Sequence, residues 1–210
     1  MHERGVKHSL DLALFKDHQF PMTTPILNSK NGHYYEFVAA NTSWSLALQE
    51  AAGKSYKGMA GYLVTITSSD EQQFVGTYLN SFGLASPSYF WAGGSDKDSE
   101  GIWKWASGPE SGKLIATGYA NWFPGGVGYA AQPNGTLVQA IRDEDGLALD
   151  SLWNYQWADL PIGDPGFQSG ELVRGYLVEY GGMPATYRIT KSATSVNEGS
   201  AITFSIYTNN

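Results

Sequence analysis

Apolar positions along this chain follow two different periods, and the places where one gives way to the other mark its elements. Trp44, Ala47, Leu48 and Ala51 stand at i, i+3, i+4 and i+7 behind Thr42 or Ser43 as a cap, which predicts an amphipathic helix that stops near Gly53. Phe74, Val75, Tyr78, Leu79 and Phe82 form a second helical stripe. Ahead of it, Ser68 with Glu71 three residues on has the pattern of a capping box, and Gly83 is the stop. Strands are predicted at 33–38, after the turn signal Asn31-Gly32, and at 62–66, 137–141 and 173–180. Trp103 and Trp105 alternate around Lys104, so a strand there sets both indoles on one face. Between Asn121 and Thr136 the chain is rich in Gly and Pro and has no period. Long irregular loops in compact domains are usually functional, so a ligand is expected there.

The two ends have a different texture. Residues 1–31 mix charges with Pro21 and Pro25 and show no sustained period, so they are expected to be a poorly ordered leader. The main domain is expected over 32–182. After Gly181-Gly182 and Pro184 comes Thr/Ser-rich alternation, with Tyr187 and Ile189, then Ile202, Phe204 and Ile206, around the turn Asn197-Glu198-Gly199. So short a segment, 183–210, cannot bury a sandwich core alone. It is either the opening of a further β-repeat or a disordered tail.

Composition narrows the chemistry. The 210 residues suffice for one sizeable core plus an appendage. A net charge of -7 without any Lys/Arg run leaves no footprint for phosphate backbones, so no nucleic acid partner is expected. The longest uncharged apolar stretches fall well short of the roughly 20 residues a membrane span needs, so no membrane insertion is expected, and no signal peptide is visible. There is no cysteine, which removes thiol nucleophiles, zinc-thiolate sites and disulfides together. His2, His8 and His18 lie in the leader and His33 opens the first strand, so a histidine-dependent mechanism in the body would have to borrow His33. A carboxylate-based glycoside hydrolase would need two opposed acids in a cleft, and no such pair stands out. A binding module, not an enzyme, is the expectation.

One ordered set of motifs goes further. Trp91-Ala92-Gly93-Gly94-Ser95-Asp96 is followed by Glu100-Gly101-Ile102-Trp103-Lys104-Trp105, then Asn121-Trp122, then Trp157-Ala158-Asp159-Leu160-Pro161, then the closing run from Gly175 to Tyr180. This series resembles the C-type lectin-like domain family, its bacterial variant especially, over about residues 34–180. Trp157-Ala158-Asp159 is similar to the family's Trp-Asn-Asp motif. The resemblance implies an α+β fold in which two helices pack on a small antiparallel sheet, the terminal strands pair, and a lobe with a second small sheet carries the long loop. It also implies that the positions of the family's two disulfides hold Ala51 with Val178 and Leu137 with Ile162. The lost cross-links, about 2 to 4 kcal/mol each, must be offset by an aromatic core. That core is expected to be Trp91, Trp103, Trp105, Trp157, Phe74 and Tyr35. The 183–210 segment resembles the first strands of a Calx-beta or immunoglobulin-like repeat.

Sugar-binding members of the family hold calcium in the long loop through a Glu-Pro-Asn or Gln-Pro-Asp triplet, a later acid and both polar residues of Trp-Asn-Asp. Counting from Trp122 to Val138 sets Gly126-Val127-Gly128 at the triplet, and this alignment has a slight edge. Matching by motif selects Gln132-Pro133-Asn134 and needs an insertion before it. Under either, the loop from Asn121 to Thr136 has no Asp or Glu, and Ala158 stands where Asn is expected. Calcium wants six to eight hard oxygens, several of them charged, so calcium held by Gln132, Asn134 and Asp159 should be weak. Asp96 and Glu100 match two ligands of the family's auxiliary calcium site, although a turn whose acids pair with Lys97, Lys104 or solvent is the preferred reading. The candidate ligand-binding residues are Trp122, Gln132, Asn134, Trp153 and Asp159, with the two tryptophans as a sugar platform. The expected function is extracellular recognition of a glycan or cell-surface protein, as part of a larger bacterial adhesin-like surface protein. The alternative is a calcium-independent protein-binding or structural module.

Overall fold

The computed structural model describes residues 23–135, 144–163 and 173–181, together with the strands Arg188–Lys191 and Phe204–Tyr207. In chain order the elements are β1 (Ile26–Leu27), β2 (Tyr34–Ala39), α1 (Trp44–Ala52), β3 (Ser55–Tyr56), β4 (Met59–Ala60), β5 (Tyr62–Leu63), α2 (Ser69–Asn80), β6 (Tyr89–Ser95), β7 (Lys104–Trp105), β8 (Gly146–Asp150), β9 (Gln156–Leu160), β10 (Val173–Tyr180), β11 (Arg188–Lys191) and β12 (Phe204–Tyr207). Both helices start at their predicted caps. The Ser43 hydroxyl accepts from the Leu46 N–H at 3.2 Å, and the Ser68 hydroxyl from the Glu71 N–H at 3.2 Å. The Glu71 carboxylate does not close the box on its own cap residue. It reaches one residue further back, to the N–H (2.8 Å) and hydroxyl (3.1 Å) of Thr67.

An eight-stranded sheet runs in the order β1-β2-β10-β6-β8-β9, with β5 added to β10 and β7 to β6. All its pairings are antiparallel except β6 with β10. The first long strand and the last, β2 and β10, lie side by side from Gly175↔Ala39 to Tyr180↔Tyr34. Because successive strand residues point to opposite faces, each strand feeds two cores. On one face Tyr35, Phe37, Phe90, Ala92, Leu147, Leu149, Trp157 and Leu177 meet Val75, Tyr78 and Leu79 of α2. On the other face Trp91, Ala148, Ala158, Leu160, Tyr176, Val178 and Tyr180 meet Trp44, Ala47 and Ala51 of α1. Two reciprocal bonds of 2.8 Å pin α1 there: the Trp44 indole N–H donates to the Ala92 carbonyl, and the Trp91 indole N–H to the Thr42 carbonyl.

Several elements differ from the sequence expectation. The lobe strands are not a separate second sheet. The first half of β6 pairs with β10 on one side and β8 on the other, so β8 and β9 continue the main sheet. The 62–66 strand pairs in register only at Tyr62–Leu63. Val64 still bonds the Leu177 carbonyl, but the Thr65 N–H goes to the Glu179 carboxylate at 3.0 Å. Residues 23–31 of the expected leader take part in the fold, with Ile26–Leu27 pairing against Tyr34–Tyr35 and the Thr23 hydroxyl donating to the Phe37 carbonyl. The 137–141 strand lies outside the described residues, as does Leu137.

Among the expected core residues, Trp103, Trp105, Trp157 and Tyr35 join the α2-side core, whereas Trp91 belongs to the opposite one. Phe74 is half-buried, its ring tilted against Tyr35 at 5.1 Å. Ala51 and Val178 are both fully buried in the α1-side core, and Ile162 packs against its margin. Trp103 sits edge-on to Trp122 at 4.7 Å. Replacing it with alanine removes a large buried ring, so Trp103→Ala should cost about 3 to 5 kcal/mol in a denaturant melt. A variant as stable as the parent would contradict this assignment of the core.

Candidate functional site

The long loop hangs on β9. Residues 121–123 run beside that strand, the Trp157 N–H donating to the Asn121 carbonyl (2.9 Å) and the Phe123 N–H to the Trp157 carbonyl (3.0 Å). The loop then leaves the sheet, turns where Gly126 and Tyr129 exchange two bonds of 3.1 Å, and returns as the Gln132 N–H donates to the Phe123 carbonyl at 2.8 Å. Beyond that return, Asp159 clamps the chain. Its Oδ2 accepts from the N–H groups of Asn134 (2.9 Å) and Gly135 (2.6 Å), and its own N–H donates to the Gln132 side-chain oxygen at 3.3 Å. Asp159 is buried, and its Oδ1 has no hydrogen-bond partner among the described residues. Burial pushes its carboxyl above the usual carboxylate range, against the pull of the N–H donors, and the charge of Asp96 adds to the rise.

Gln132, Asn134 and Asp159 are therefore brought together, by backbone as much as by side chain. Gly126-Val127-Gly128, which the length alignment set at the triplet, forms the exposed turn, with Val127 fully in solvent. Trp122 is half-buried, wedged edge-on between Trp103 at 4.7 Å and Trp157 at 5.6 Å. Trp153 stacks flat on Phe123 at 3.8 Å, and the 54% exposed Tyr129 meets it edge-on at 5.5 Å. Phe123 and Tyr129 complete an aromatic group that the sequence did not single out, although both lie in the Gly/Pro-rich stretch. Asp96 is buried and braces its own turn by accepting from the Gly101 N–H at 2.9 Å, while Glu100 is exposed. Lys97 pairs with Asp98 at 2.8 Å.

These donors do not fit a tight calcium site. Asp159 spends one oxygen on backbone N–H groups, and Gln132 points its oxygen at a backbone donor. Among the described residues, the group of His, Asp and Glu whose ligand atoms converge within 4.8 Å lies elsewhere, at His33, Glu71 and Glu179.

Residues 47–140 match the family model described as the Lectin C-type domain. Among solved structures, the C-type lectin CEL-I from Cucumaria echinata superposes with a TM-score of 0.51 at 24% identity, over 70% of this chain and 89% of that one. The fold is C-type lectin-like. The chain is 34% identical over 167 residues to halomucin from Haloquadratum walsbyi, covering 76% of this chain and 2% of that protein. It is 38% identical over 91 residues to C-type lectin domain family 10 member A from Homo sapiens, covering 43% of this chain and 23% of that protein. The chain thus spans only a small part of the length of either relative.

The convergent acids sit in the C-type lectin-like domain where β2, β10 and α2 meet. Glu179 Oε1 contacts His33 Nδ1 at 2.5 Å, and its Oε2 accepts from the Thr65 N–H. The Tyr35 hydroxyl donates to Glu71 at 2.6 Å and itself accepts from the Asn31 amide at 2.7 Å. The bond to Glu179 raises the His33 pKa above its ordinary value against desolvation, with the charges of Glu179, Glu71 and Glu110 adding to it. Burial, then the Glu179 charge, raises the Glu71 carboxyl. The pattern missed this knot because Glu71 reads as a capping residue and Glu179 as one polar position in a strand. When protonated, His33 is the cation that faces Glu179 in the knot. Since its pKa is raised on folding, its contribution is full below the ordinary value of 6.5 and is lost as pH rises through the folded value. The melting-point gap between parent and His33→Gln should therefore be wide at about pH 5.5 and narrow at about pH 9. A gap that does not change with pH would show that His33 stays neutral.

Proposed function

We propose that this chain is an extracellular recognition module that binds a glycan or a cell-surface ligand through its long-loop face. The observation that carries the reading is the aromatic group in which Phe123 and Tyr129, on a loop that β9 and Asp159 fix in place, pack on Trp153 of the turn between β8 and β9. A rigid loop loses little entropy on binding, and aromatic edges beside backbone and amide groups suit a sugar's mixed apolar and hydroxyl faces. Gln132 and Asn134 stand on the returning arm of the same loop, which the buried Asp159 holds, while Trp122 packs inward between Trp103 and Trp157. The alignment to a small part of halomucin supports placement within a larger, adhesin-like surface protein. In that setting residues 32–182, with the 23–31 segment that pairs against them, are the binding domain, and the β11–β12 pair, Arg188–Lys191 against Phe204–Tyr207, is the start of a further β-repeat.

Any calcium response is weak in this reading, because Asp159 is the one acid at the matched position and backbone N–H groups already occupy one of its oxygens. The same economy favours a second reading, a calcium-independent protein-binding or structural module, because Asp159 already has a structural task.

Glycan-panel binding with and without chelator separates the two readings. On the proposed one a glycan is retained, Trp153→Ala loses it, and chelator changes little. If no glycan binds under either condition, the second reading stands. A ligand at 100 times its dissociation constant stabilises a fold by about 2.7 kcal/mol, so millimolar calcium, near the affinity of a weak site, should move the melting point only slightly. A strong rise at micromolar calcium, abolished by Asp159→Asn, would make the chain a calcium-dependent binder.

A further inference from the structure

A second concavity, not lined by Trp153 or the loop tip, lies between the outer face of α2 and the turn that leads into β9. It is a cleft of about 730 Å³. Its walls carry six primary amides: Gln72 and five others, Gln73 and Asn80 on α2 facing Asn121, Asn154 and Gln156, with Tyr119 beside them. None of the five side-chain amides makes a hydrogen bond to another described residue, whereas the neighbouring Gln72 is fully engaged. The Gln72 amide donates to the Tyr155 carbonyl at 2.8 Å and accepts from the Trp157 indole at 2.7 Å. One wall is thus pinned to the core, while the groups facing the cleft keep both donors and acceptors open.

The backbone of that wall is shaped at a cost. Asn154 and Tyr155 are consecutive non-glycine residues with φ of 53° and 61°, a conformation that L side chains adopt at a penalty and that folds retain where geometry is functional. Opposite, Gly76 leaves room for the Tyr155 ring, which a Cβ there would meet at 3.3 Å. Tyr119 is held edge-on to Trp157 at 5.9 Å.

Charge decides the ligand class. The cleft's one carboxylate, Asp70, pairs with Lys30 at 2.8 Å, and no Lys or Arg lines the walls. An anion finds no cation and a cation finds no free carboxylate. An apolar ligand would strip water from five amides without replacing their bonds, which is costly. Each amide offers an N–H donor and a C=O acceptor side by side, the pattern that matches vicinal hydroxyls. We infer that this cleft is a second binding site, independent of calcium and of the tip of the long loop, for a neutral polyhydroxylated ligand, an uncharged oligosaccharide segment.

The test is a titration of the isotope-labelled full chain, in chelator, with cellotriose, maltotriose and mannotriose separately, following the side-chain amide signals of Asn and Gln and the indole signals of Trp by NMR. At least one trisaccharide is expected to move the Gln73, Asn121, Asn154 and Gln156 amides saturably, with the Trp153 indole unmoved. Gln73→Ala, on an exposed helix face, and Asn154→Gly, which keeps the left-handed backbone, should each weaken that binding by about tenfold. No saturable shift with any of the three at millimolar concentration would overturn the inference. Shifts confined to Trp153 and residues 123–135 of the long loop, or an affinity unchanged in both variants, would do the same.

Discussion

The arrangement of this domain depends on one buried carboxylate, that of Glu179. It stands on the last strand, is almost wholly hidden, and accepts from Thr65 while contacting His33, so three distant parts of the chain share it. A carboxylate taken out of water must be matched by donors or a counter-charge, or it costs several kcal/mol. The backbone ladder of β10 on β2, from Gly175↔Ala39 to Tyr180↔Tyr34, brings Glu179 to Thr65, Tyr35 and His33, which supply the donors it needs. The same pairing of early and late strands forms the two-faced sheet on which everything else is mounted.

The two cores share out the work that cross-links might otherwise do. On the α1 side the exchange of indole bonds between Trp44 and Trp91 fixes the helix, and Ala51 and Val178 fill the space with small apolar groups. On the α2 side Trp103, Trp105, Trp122 and Trp157 pack edge to face, an arrangement that adds to the burial of their rings. Trp157 links this core to both candidate binding surfaces. Its backbone carries the base of the long loop, and its indole binds the glutamine that stiffens the wall of the amide cleft.

The two surfaces use opposite means to stay rigid. The long loop is held by backbone bonds and by Asp159, which leaves aromatic rings to meet a partner. The cleft is held by Gln72 and by a strained turn, which leaves amides to do so. In both, the anchoring polar group is buried and the recognising groups are wholly or partly exposed, as a preorganised site requires.

Periodicity and caps determined much by themselves: both helices with their starting residues, the closing strand at 173–180, the exclusion of thiol chemistry, and the order of motifs that points to the fold. These are local properties, set by which neighbours along the chain share a face. Whether Gln132-Pro133-Asn134 or Gly126-Val127-Gly128 approaches Asp159 was not legible, because it depends on where the loop turns back against β9. Trp91 and Trp103 read alike in sequence, yet they lie on opposite faces of the sheet, since strand pairing decides which face each one meets. Gln73, Asn121 and Asn154 are unremarkable polar positions in the sequence, and His33, Glu71 and Glu179 are separated by up to 146 residues. Only tertiary structure brings such groups together, because the cost of burying charge and the geometry of the sheet act between residues that the linear pattern never compares.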